Sequence, residues 1–192
     1  MSIPKNIVLL LSGGLDSVVL LHDLHGQGHK VHPVLFHYEQ IHEIELSFAK
    51  YHCALLKLTP SVQVISQLKG SSLTDGSGGV VVPFRNAVLL SHAANLAASF
   101  GVETVAYACN KDDEERFPDC RKPFIDAMNA LSKASGYDVE ICAPYLDKSK
   151  WWIAGLGREM GVDLTKTWSC YKRGPEPCGQ CPACKKREAA LK

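Results

Sequence analysis

The sequence predicts an α/β fold in which an open, parallel sheet carries helices on both faces. Short apolar runs typical of buried strands alternate with segments of helical periodicity, which is the order that builds parallel sheets. The first strand is the clearest, because residues 7–11 are consecutive branched apolar residues that lead through Gly13 and Gly14 into an apolar helix. A chain of 192 residues is long enough to bury a sizeable core. These observations together indicate a Rossmann-like sheet.

The remaining elements follow in the same alternating order. After the first helix, which opens at Asp16, we expect strands over 31–38, 62–66, 104–109 and 139–142, and helices over 39–57, 84–100, 123–134 and 149–160. Loops are predicted over 69–79 and 110–123, and no clear period follows Gly161. Segments that follow parallel strands meet at the carboxyl edge of a sheet, so three of them should lie together: 12–17, 37–42 and 109–121.

The composition is that of an ordinary globular protein, with 46% hydrophobic and 21% charged residues. We expect a single domain over 1–192, with a nucleotide-binding core over 1–165 and a zinc-binding C-terminal segment over 166–192. A net charge of +1 argues against nucleic acid as a partner, and no apolar run approaches the ~18 residues that cross a membrane. The first residues lack a signal-peptide pattern, so we expect the protein in the cytoplasm.

The loop after the first strand has the features of a phosphate-binding turn. Glycines at 13 and 14 let the backbone turn sharply and approach a ligand, and the helix that follows presents unpaired amides and a positive dipole end. The loop lacks the second glycine and the Lys-Ser/Thr pair of a Walker A motif. Asp16 could bind Mg²⁺ or cap the helix, and both interpretations stay open at this point.

Four cysteines near the end of the chain have the spacing of a metal site: Cys170, Cys178, Cys181 and Cys184. Four thiolates around zinc form a closed tetrahedral site, which is structural rather than catalytic. An iron–sulfur cluster would also accept four thiolates, and free thiols are the remaining alternative. Lysines and arginines flank the cysteines and would offset the negative charge of a zinc–tetrathiolate centre.

Taken in order, motifs along nearly the whole chain resemble the 7-cyano-7-deazaguanine synthase family, also called QueC, within the PP-loop ATP pyrophosphatases. They are Ser12–Ser17; Tyr38, Gln40 and His42; 70–74; Val82-Pro83; Arg85-Asn86; Asn110; Pro118-Asp119-Cys120-Arg121 and Phe124; Ala143-Pro144; Asp147; Lys150; and Thr167–Tyr171 with the four cysteines. The string Thr-Trp-Ser-Cys-Tyr beside the cysteine cluster is the most discriminating of these motifs.

The resemblance implies an enzyme that uses ATP with Mg²⁺ to adenylate the carboxylate of 7-carboxy-7-deazaguanine and transfers the acyl group to ammonia. The amide, and then 7-cyano-7-deazaguanine, would form with release of AMP and pyrophosphate. The implied catalytic residues are Asp16, Ser17 and Lys150, and the implied nucleotide site is Leu11, Ser12, Gly13, Gly14, Leu15, Asp16, Ser17, Arg85, Asn86 and Lys150. The implied substrate site is Tyr38, Gln40, His42, Asn110, Asp119 and Arg121. The zinc would be structural.

The chain departs from the family at His37, Glu39 and Ile41, where Asp, Gly and Arg are usual, and its segment at 75–81 is short. One alternative is therefore a divergent relative, for example from an antiviral defence operon, that stops at the amide or joins the acyl group to another amine or to a protein. Others are a tRNA-thiolating PP-loop enzyme and a non-enzymatic nucleotide-binding module. The family is often dimeric, so a homodimer is also an expectation.

Overall fold

The computed structural model describes residues 5–66 and 68–192 and contains one open sheet of five parallel strands. The strands are β1 (Asn6–Leu10), β2 (Lys30–His37), β3 (Ser61–Val64), β4 (Thr104–Ala106) and β5 (Glu140–Cys142). They lie in the order β3-β2-β1-β4-β5. Leu9 of β1 stands opposite Pro33 on one side and Ala106 on the other, so β1 is central and the direction of winding reverses beside it.

Helices cover both faces of the sheet, as the sequence predicts. They are α1 (Leu15–Gly26), α2 (Glu45–Leu55), α3 (Arg85–Ser99), α4 (Lys111–Glu114), α5 (Lys122–Ala134), α6 (Lys150–Glu159) and α7 (Pro182–Leu191). Apolar side chains of α1, α2 and α6 form one core, and those of α3 and α5 form the other. Within the described residues, no helix has the length and apolar character needed to cross a membrane.

Side chains along β1 alternate between the two faces of the sheet and so contribute to both hydrophobic cores. Ile7 and Leu9 pack on the side of α1, whereas Val8 packs on the side of α3. All three are at most 4% exposed, which is why the strand needs an uninterrupted apolar run. The central strand thereby delivers the loop at residues 12–17 to a fixed position at the carboxyl edge of the sheet.

The predicted helix over 39–57 is wrong in its first turns, because α2 begins only at Glu45. Glu39 has a left-handed backbone, with φ of 62°, which interrupts a helix. The Gln40 side chain then accepts a hydrogen bond from the Tyr38 amide at 2.8 Å and donates one to the Phe36 carbonyl at 3.1 Å. These side-chain bonds hold residues 38–40 in a turn that a periodic apolar pattern does not reveal.

Two helices lie where the sequence predicts none. The short α4 lies inside the expected loop at 110–123 and is capped by Asn110, whose side-chain oxygen accepts from the Asp113 amide at 3.2 Å. The longer α7 lies after Gly161 and is capped by the thiol of Cys181, which accepts from the Cys184 amide at 3.4 Å. At least one bound of each predicted strand differs from the observed bound, and the largest difference is at β4, which ends at Ala106 instead of at 109.

Close packing of α6 on α1 depends on a glycine. A Cβ added to Gly157 would lie 2.8 Å from Cγ2 of Val19 and 3.0 Å from Cδ2 of Leu164. We expect Gly157→Ala to lower the free energy of unfolding by about 1–3 kcal/mol, because the methyl group overpacks this contact. Urea unfolding with an unchanged denaturant slope would measure the loss.

Gly155→Ala, one half-turn away in the same helix, is the matched control. Its added Cβ would meet only the Arg158 side chain, at 3.9 Å, so the better helix propensity of alanine should raise stability by about 0.5–1 kcal/mol. Equal effects at the two positions would show that packing against α1 does not constrain Gly157.

Candidate functional site

A cavity of about 290 Å³ opens at the carboxyl edge of the sheet, where the strand order reverses between β1 and β4. Its walls come from the segments that follow β1, β2 and β4, together with residues 168–171 and the start of α7. This is the edge at which open parallel sheets bind ligands. The sequence-based expectation that residues 12–17, 37–42 and 109–121 meet at one edge is confirmed by the residues that line this cavity.

The loop at 12–17 is tightly constrained. Gly13 has φ of +90°, and a Cβ at this position would lie 2.0 Å from the backbone oxygen of Glu45, so only glycine fits. Ser12 Oγ accepts from the Gly14 amide at 3.1 Å and lies 3.0 Å from Ser17 Oγ. Because the N-cap residue Gly14 has no side chain, the first amides of α1 remain free to donate to an anion.

Asp16 is the centre of a buried polar network. Its Oδ2 accepts from Lys150 Nζ and, at 3.0 Å, from Asn110 Nδ2. Its Oδ1 is buried and has no partner among the described residues. The carboxylate caps no amide of α1, so the geometry favours ligand binding over helix capping for this side chain.

Lys150, the first residue of α6, carries its charge into the site. Burial alone would lower the pKa of Lys150, but the adjacent Asp16 carboxylate outweighs that effect and raises the pKa. The ammonium group is therefore charged at neutral pH. It lies in the cavity close to the amides of α1, and a charge in this position suits a polyphosphate.

The network continues to the C-terminal segment. Asn110 Nδ2 also donates to Asp113 Oδ2 at 3.0 Å, and Asp113 Oδ1 accepts from Lys186 Nζ at 2.8 Å. Lys186 belongs to α7 and lines the cavity. Asp113 and Lys186 were not predicted as site residues, because charged residues outside the recognised motifs are usually solvated.

A second buried polar group lies on the other wall of the cavity. Arg85 Nη1 donates to the Tyr38 hydroxyl at 3.4 Å, and its Nε donates to Asn86 Oδ1 at 3.3 Å. Burial raises the pKa of the Tyr38 phenol, so it stays protonated. Burial by itself would lower the pKa of Arg85, but the facing Tyr38 and Glu45 raise it. A partly buried cation therefore faces the cavity from the start of α3.

Most of the predicted site residues line this cavity: Leu11, Ser12, Gly14, Leu15, Asp16, Ser17, Tyr38, His42, Arg85, Asn86, Asp119 and Lys150. Gly13, Gln40, Asn110 and Arg121 are not among its lining residues. Gly13 and Gln40 hold backbone turns, and Asn110 orients Asp16 and Asp113. Arg121 turns away, with its Nε donating to the Glu114 carbonyl at 2.8 Å.

Several lining residues were missed by sequence reasoning. They include Glu45, Tyr107, Cys109, Phe117, Cys120, Trp168 and Tyr171. Trp168 and Tyr171 belong to the Thr-Trp-Ser-Cys-Tyr motif, which was recognised in the sequence. Their position in the wall of the cavity was not predicted. Glu45 was hidden within a predicted helix, and only its burial at 9% exposure distinguishes it from a solvated acid.

The four C-terminal cysteines form a cluster that could hold a metal ion. Their Sγ atoms all lie within 4.8 Å of one another, and those of Cys178 and Cys184 are 4.0 Å apart. Tetrahedral coordination at ~2.3 Å would place sulfurs about 3.8 Å apart, so the donor set fits a single metal ion with little movement. Amides of Lys172 and Cys178 point at Cys170 Sγ, at 3.3 and 3.4 Å, and would stabilise a thiolate.

The C-terminal segment carrying these cysteines is hydrogen-bonded to the loop at 12–17. The Trp168 amide donates to the Gly13 carbonyl at 2.9 Å, and the Trp168 ring stacks on Phe48 of α2, with centroids 5.8 Å apart. His52 Nε2 donates to the Lys166 carbonyl at 2.9 Å. The cysteine cluster thus holds a strap, residues 166–171, against the floor of the cavity.

Comparisons with known proteins agree with this architecture. The family model described as "Queuosine biosynthesis protein QueC" matches residues 6–192. A 7-cyano-7-deazaguanine synthase from Caldicellulosiruptor bescii is 42% identical, over 96% of this chain and 91% of its own length. Synthases of the same name from Methanoregula boonei and Psychromonas ingrahamii are 39% and 38% identical, over 96% and 97% of this chain and 93% of their own lengths.

Among solved structures, the U34-tRNA thiolase NcsA from Methanococcus maripaludis, determined with its [4Fe-4S] cluster, is similar in fold. Its TM-score is 0.51 at 14% identity, and the match covers 97% of this chain and 64% of that one. At this identity the likeness concerns the fold alone. The family match over almost every residue and the relatives at about 40% identity are decisive, and the chain belongs to the QueC family of queuosine biosynthesis proteins.

Proposed function

We propose that this chain, an ATP-dependent synthase by its family, converts 7-carboxy-7-deazaguanine to 7-cyano-7-deazaguanine with ATP and ammonia. Each activation would release AMP and pyrophosphate. The observation that carries the proposal is the buried Asp16–Lys150 pair beside the free amides of α1, in a chain that matches synthases of this name nearly end to end.

The proposed chemistry explains why a polyphosphate site is needed. A carboxylate is a poor electrophile because its leaving group would be oxide, whereas an acyl adenylate loses AMP. The amides of α1 and the Lys150 ammonium would bind the phosphates and stabilise the charge that develops as pyrophosphate departs. Attack by ammonia gives the amide, and a second adenylation followed by loss of AMP gives the nitrile.

Asp16 is the residue that fits a magnesium ion. Its Oδ1 is a buried oxygen without a partner in the part of the chain that the structure describes, and Mg²⁺ is usually bound by one or two carboxylates together with substrate phosphates. A bound Mg²⁺ would neutralise phosphate charge during the transfer. Asn110 and Lys150 hold the other oxygen of Asp16, and they therefore fix the direction in which Oδ1 points.

Arg85 is the proposed group for the acid substrate. Its guanidinium is partly buried, lines the cavity and uses only part of its donor set on Tyr38 and Asn86, so donors remain for a carboxylate. Asp119 also lines the cavity and is the proposed acceptor for polar groups on the deazaguanine ring.

We propose zinc as the metal of the cysteine cluster. Four thiolates leave no open coordination position, which is the arrangement of structural zinc. The Cys181 sulfur would bind the metal and also caps α7. All eight cysteines are free of disulfides, which supports the cytoplasm as the location. The cluster would act by holding the strap against the nucleotide loop, away from the chemistry itself.

Replacing either member of the buried pair should stop nucleotide chemistry. We expect Asp16→Ala and Lys150→Ala each to cut acid-dependent AMP release by at least ~10²-fold, as loss of one preorganised charge contact does. Chromatography of nucleotides measures the release, and thermal unfolding checks the fold. Lys148→Ala, at the exposed Asp147 pair, is the control and should keep activity. Wild-type AMP release from either test variant would exclude that residue from the site.

The metal prediction concerns Cys181. We expect about one zinc and no iron per chain, and we expect Cys181→Ser to lower both zinc content and thermal stability, because a structural metal contributes to folding free energy. Elemental analysis with a melting curve tests this. Cys142→Ser, outside the cluster, should keep its metal. Stoichiometric iron with visible absorption would contradict zinc, and full stability without any metal would contradict a structural role.

The product can be identified directly. Incubation of the acid with ATP, Mg²⁺ and ammonium should yield the nitrile by mass spectrometry, with two AMP per turnover. If the replacements at His37, Glu39 and Ile41 block the second activation, the amide will accumulate with one AMP. An acid left unconsumed with ammonium and with other amine donors, in a chain that is folded and metal-loaded, would refute this substrate.

A further inference from the structure

A buried carboxyl group that the proposed chemistry has not yet used lies in the wall of the cavity. Glu45, the first residue of α2, is 9% exposed and lines the cavity with His42. Its Oε1 accepts from Gln40 Nε2 at 3.3 Å and lies 3.6 Å from His42 Nε2. Among the described residues, no group donates a hydrogen bond to its Oε2, and the buried Nδ1 of His42 has no partner.

The surroundings let Glu45 exchange a proton near neutral pH and keep His42 in its neutral form. Burial raises the pKa of Glu45 to about 7, against the opposing effects of the Gln40 hydrogen bond and the Arg85 charge. Burial and, to a smaller extent, the Arg85 charge lower the pKa of His42 to about 4, so the imidazole is neutral at neutral pH. Buried acid–base groups of this kind, in a cleft, are typical of functional sites.

We propose that Glu45, held by Gln40 and next to His42, binds the ammonium ion and takes a proton from it, so that ammonia can attack the activated acid. This role rests on the proposed function, and it assigns the nitrogen donor and a base to the same cavity. Ammonium is mostly protonated at neutral pH and has no lone pair until a base removes a proton, so a reaction that uses it needs such a group.

The hydrogen bonds of Glu45 favour a small donor over the deazaguanine ring. A carboxylate that reads the N1–H and 2-amino edge of a guanine-type ring uses both oxygens side by side. Here Oε1 already accepts from Gln40, which is 2% exposed and fixed by two backbone groups, whereas no described group donates to Oε2. One free oxygen beside a neutral imidazole matches one N–H donor at a time.

In the proposed step, ammonium loses two protons, a C–N bond forms and AMP leaves. Ammonium gives one proton to Oε2 of Glu45, and the nitrogen lone pair forms a C–N bond to the acyl carbon of the adenylate while the carbonyl electrons move to oxygen. The carbonyl bond then re-forms, the C–O bond to AMP breaks, and AMP leaves with that electron pair. The nitrogen loses its second proton to water, and Glu45 returns its own to solvent through the open cavity.

Glu45→Gln tests this role because it keeps the shape of the side chain and removes the base. Three rates are compared: acid-dependent ATP–pyrophosphate exchange, amide formation with ammonium, and hydroxamate formation with hydroxylamine, which is a neutral nucleophile at slightly alkaline pH. We expect exchange and hydroxamate formation near wild-type rates and a loss of ~10²-fold in amide formation. Glu43→Gln, at an exposed acid two residues away, should change none of the three.

Several results would contradict the role of Glu45 as the base for ammonium. An equal loss with hydroxylamine, or a raised KM for the acid, would show that Glu45 positions the acid substrate. Should Glu45→Gln unfold, Glu45→Asp keeps a carboxylate at a shorter reach, and it must show a selective loss with ammonium for the role to stand. Absence of exchange in the wild-type chain would refute the proposed function itself, a result distinct from a defect confined to ammonium.

Discussion

A buried ion pair between Asp16 and Lys150 connects the first loop of the sheet to the last helix before the C-terminal segment, and the arrangement of the cavity depends on it. The two side chains are only 14% and 12% exposed. Removing both charges from water is costly, and attraction repays that cost only where further hydrogen bonds complete the pair. Asn110 supplies one such bond, so the positions of three separate segments are set by one electrostatic requirement.

The position of the opposite wall of the cavity, formed by Glu45 and His42, is set by a steric contact. Gly13 lies so close to the Glu45 carbonyl that α2 must begin where it does, and the same contact brings Glu45 and His42 to the cavity. The turn at residues 38–40 cannot continue as helix, because the Gln40 side chain has replaced helical hydrogen bonds with its own. The Asp16–Lys150 ion pair thus fixes one side of the cavity, and the backbone contact between Gly13 and Glu45 fixes the other.

Sequence reasoning succeeded where local chemistry is sufficient. The β1 run, the glycine loop and the four cysteines were all identifiable, because strand burial, backbone freedom and thiolate spacing leave direct signatures. It failed at α7, whose few apolar positions give no period and whose first turn relies on the Cys181 thiol. It also failed at Glu45 and Lys186, whose places in the site depend on contacts with the distant residues Gly13 and Asp113, which no local pattern encodes.

The hydrogen bond from the Trp168 amide to the Gly13 carbonyl has a consequence for biosynthesis. Residues of the glycine loop leave the ribosome well before the strap and its cysteines do. Chains generally begin to fold during synthesis, so β1 and α1 can pair and pack with α2 and β2 well before Trp168 exists. The nascent chain would therefore contain a formed sheet with an unfinished cavity, and the cavity would be complete only after the four cysteines had been translated.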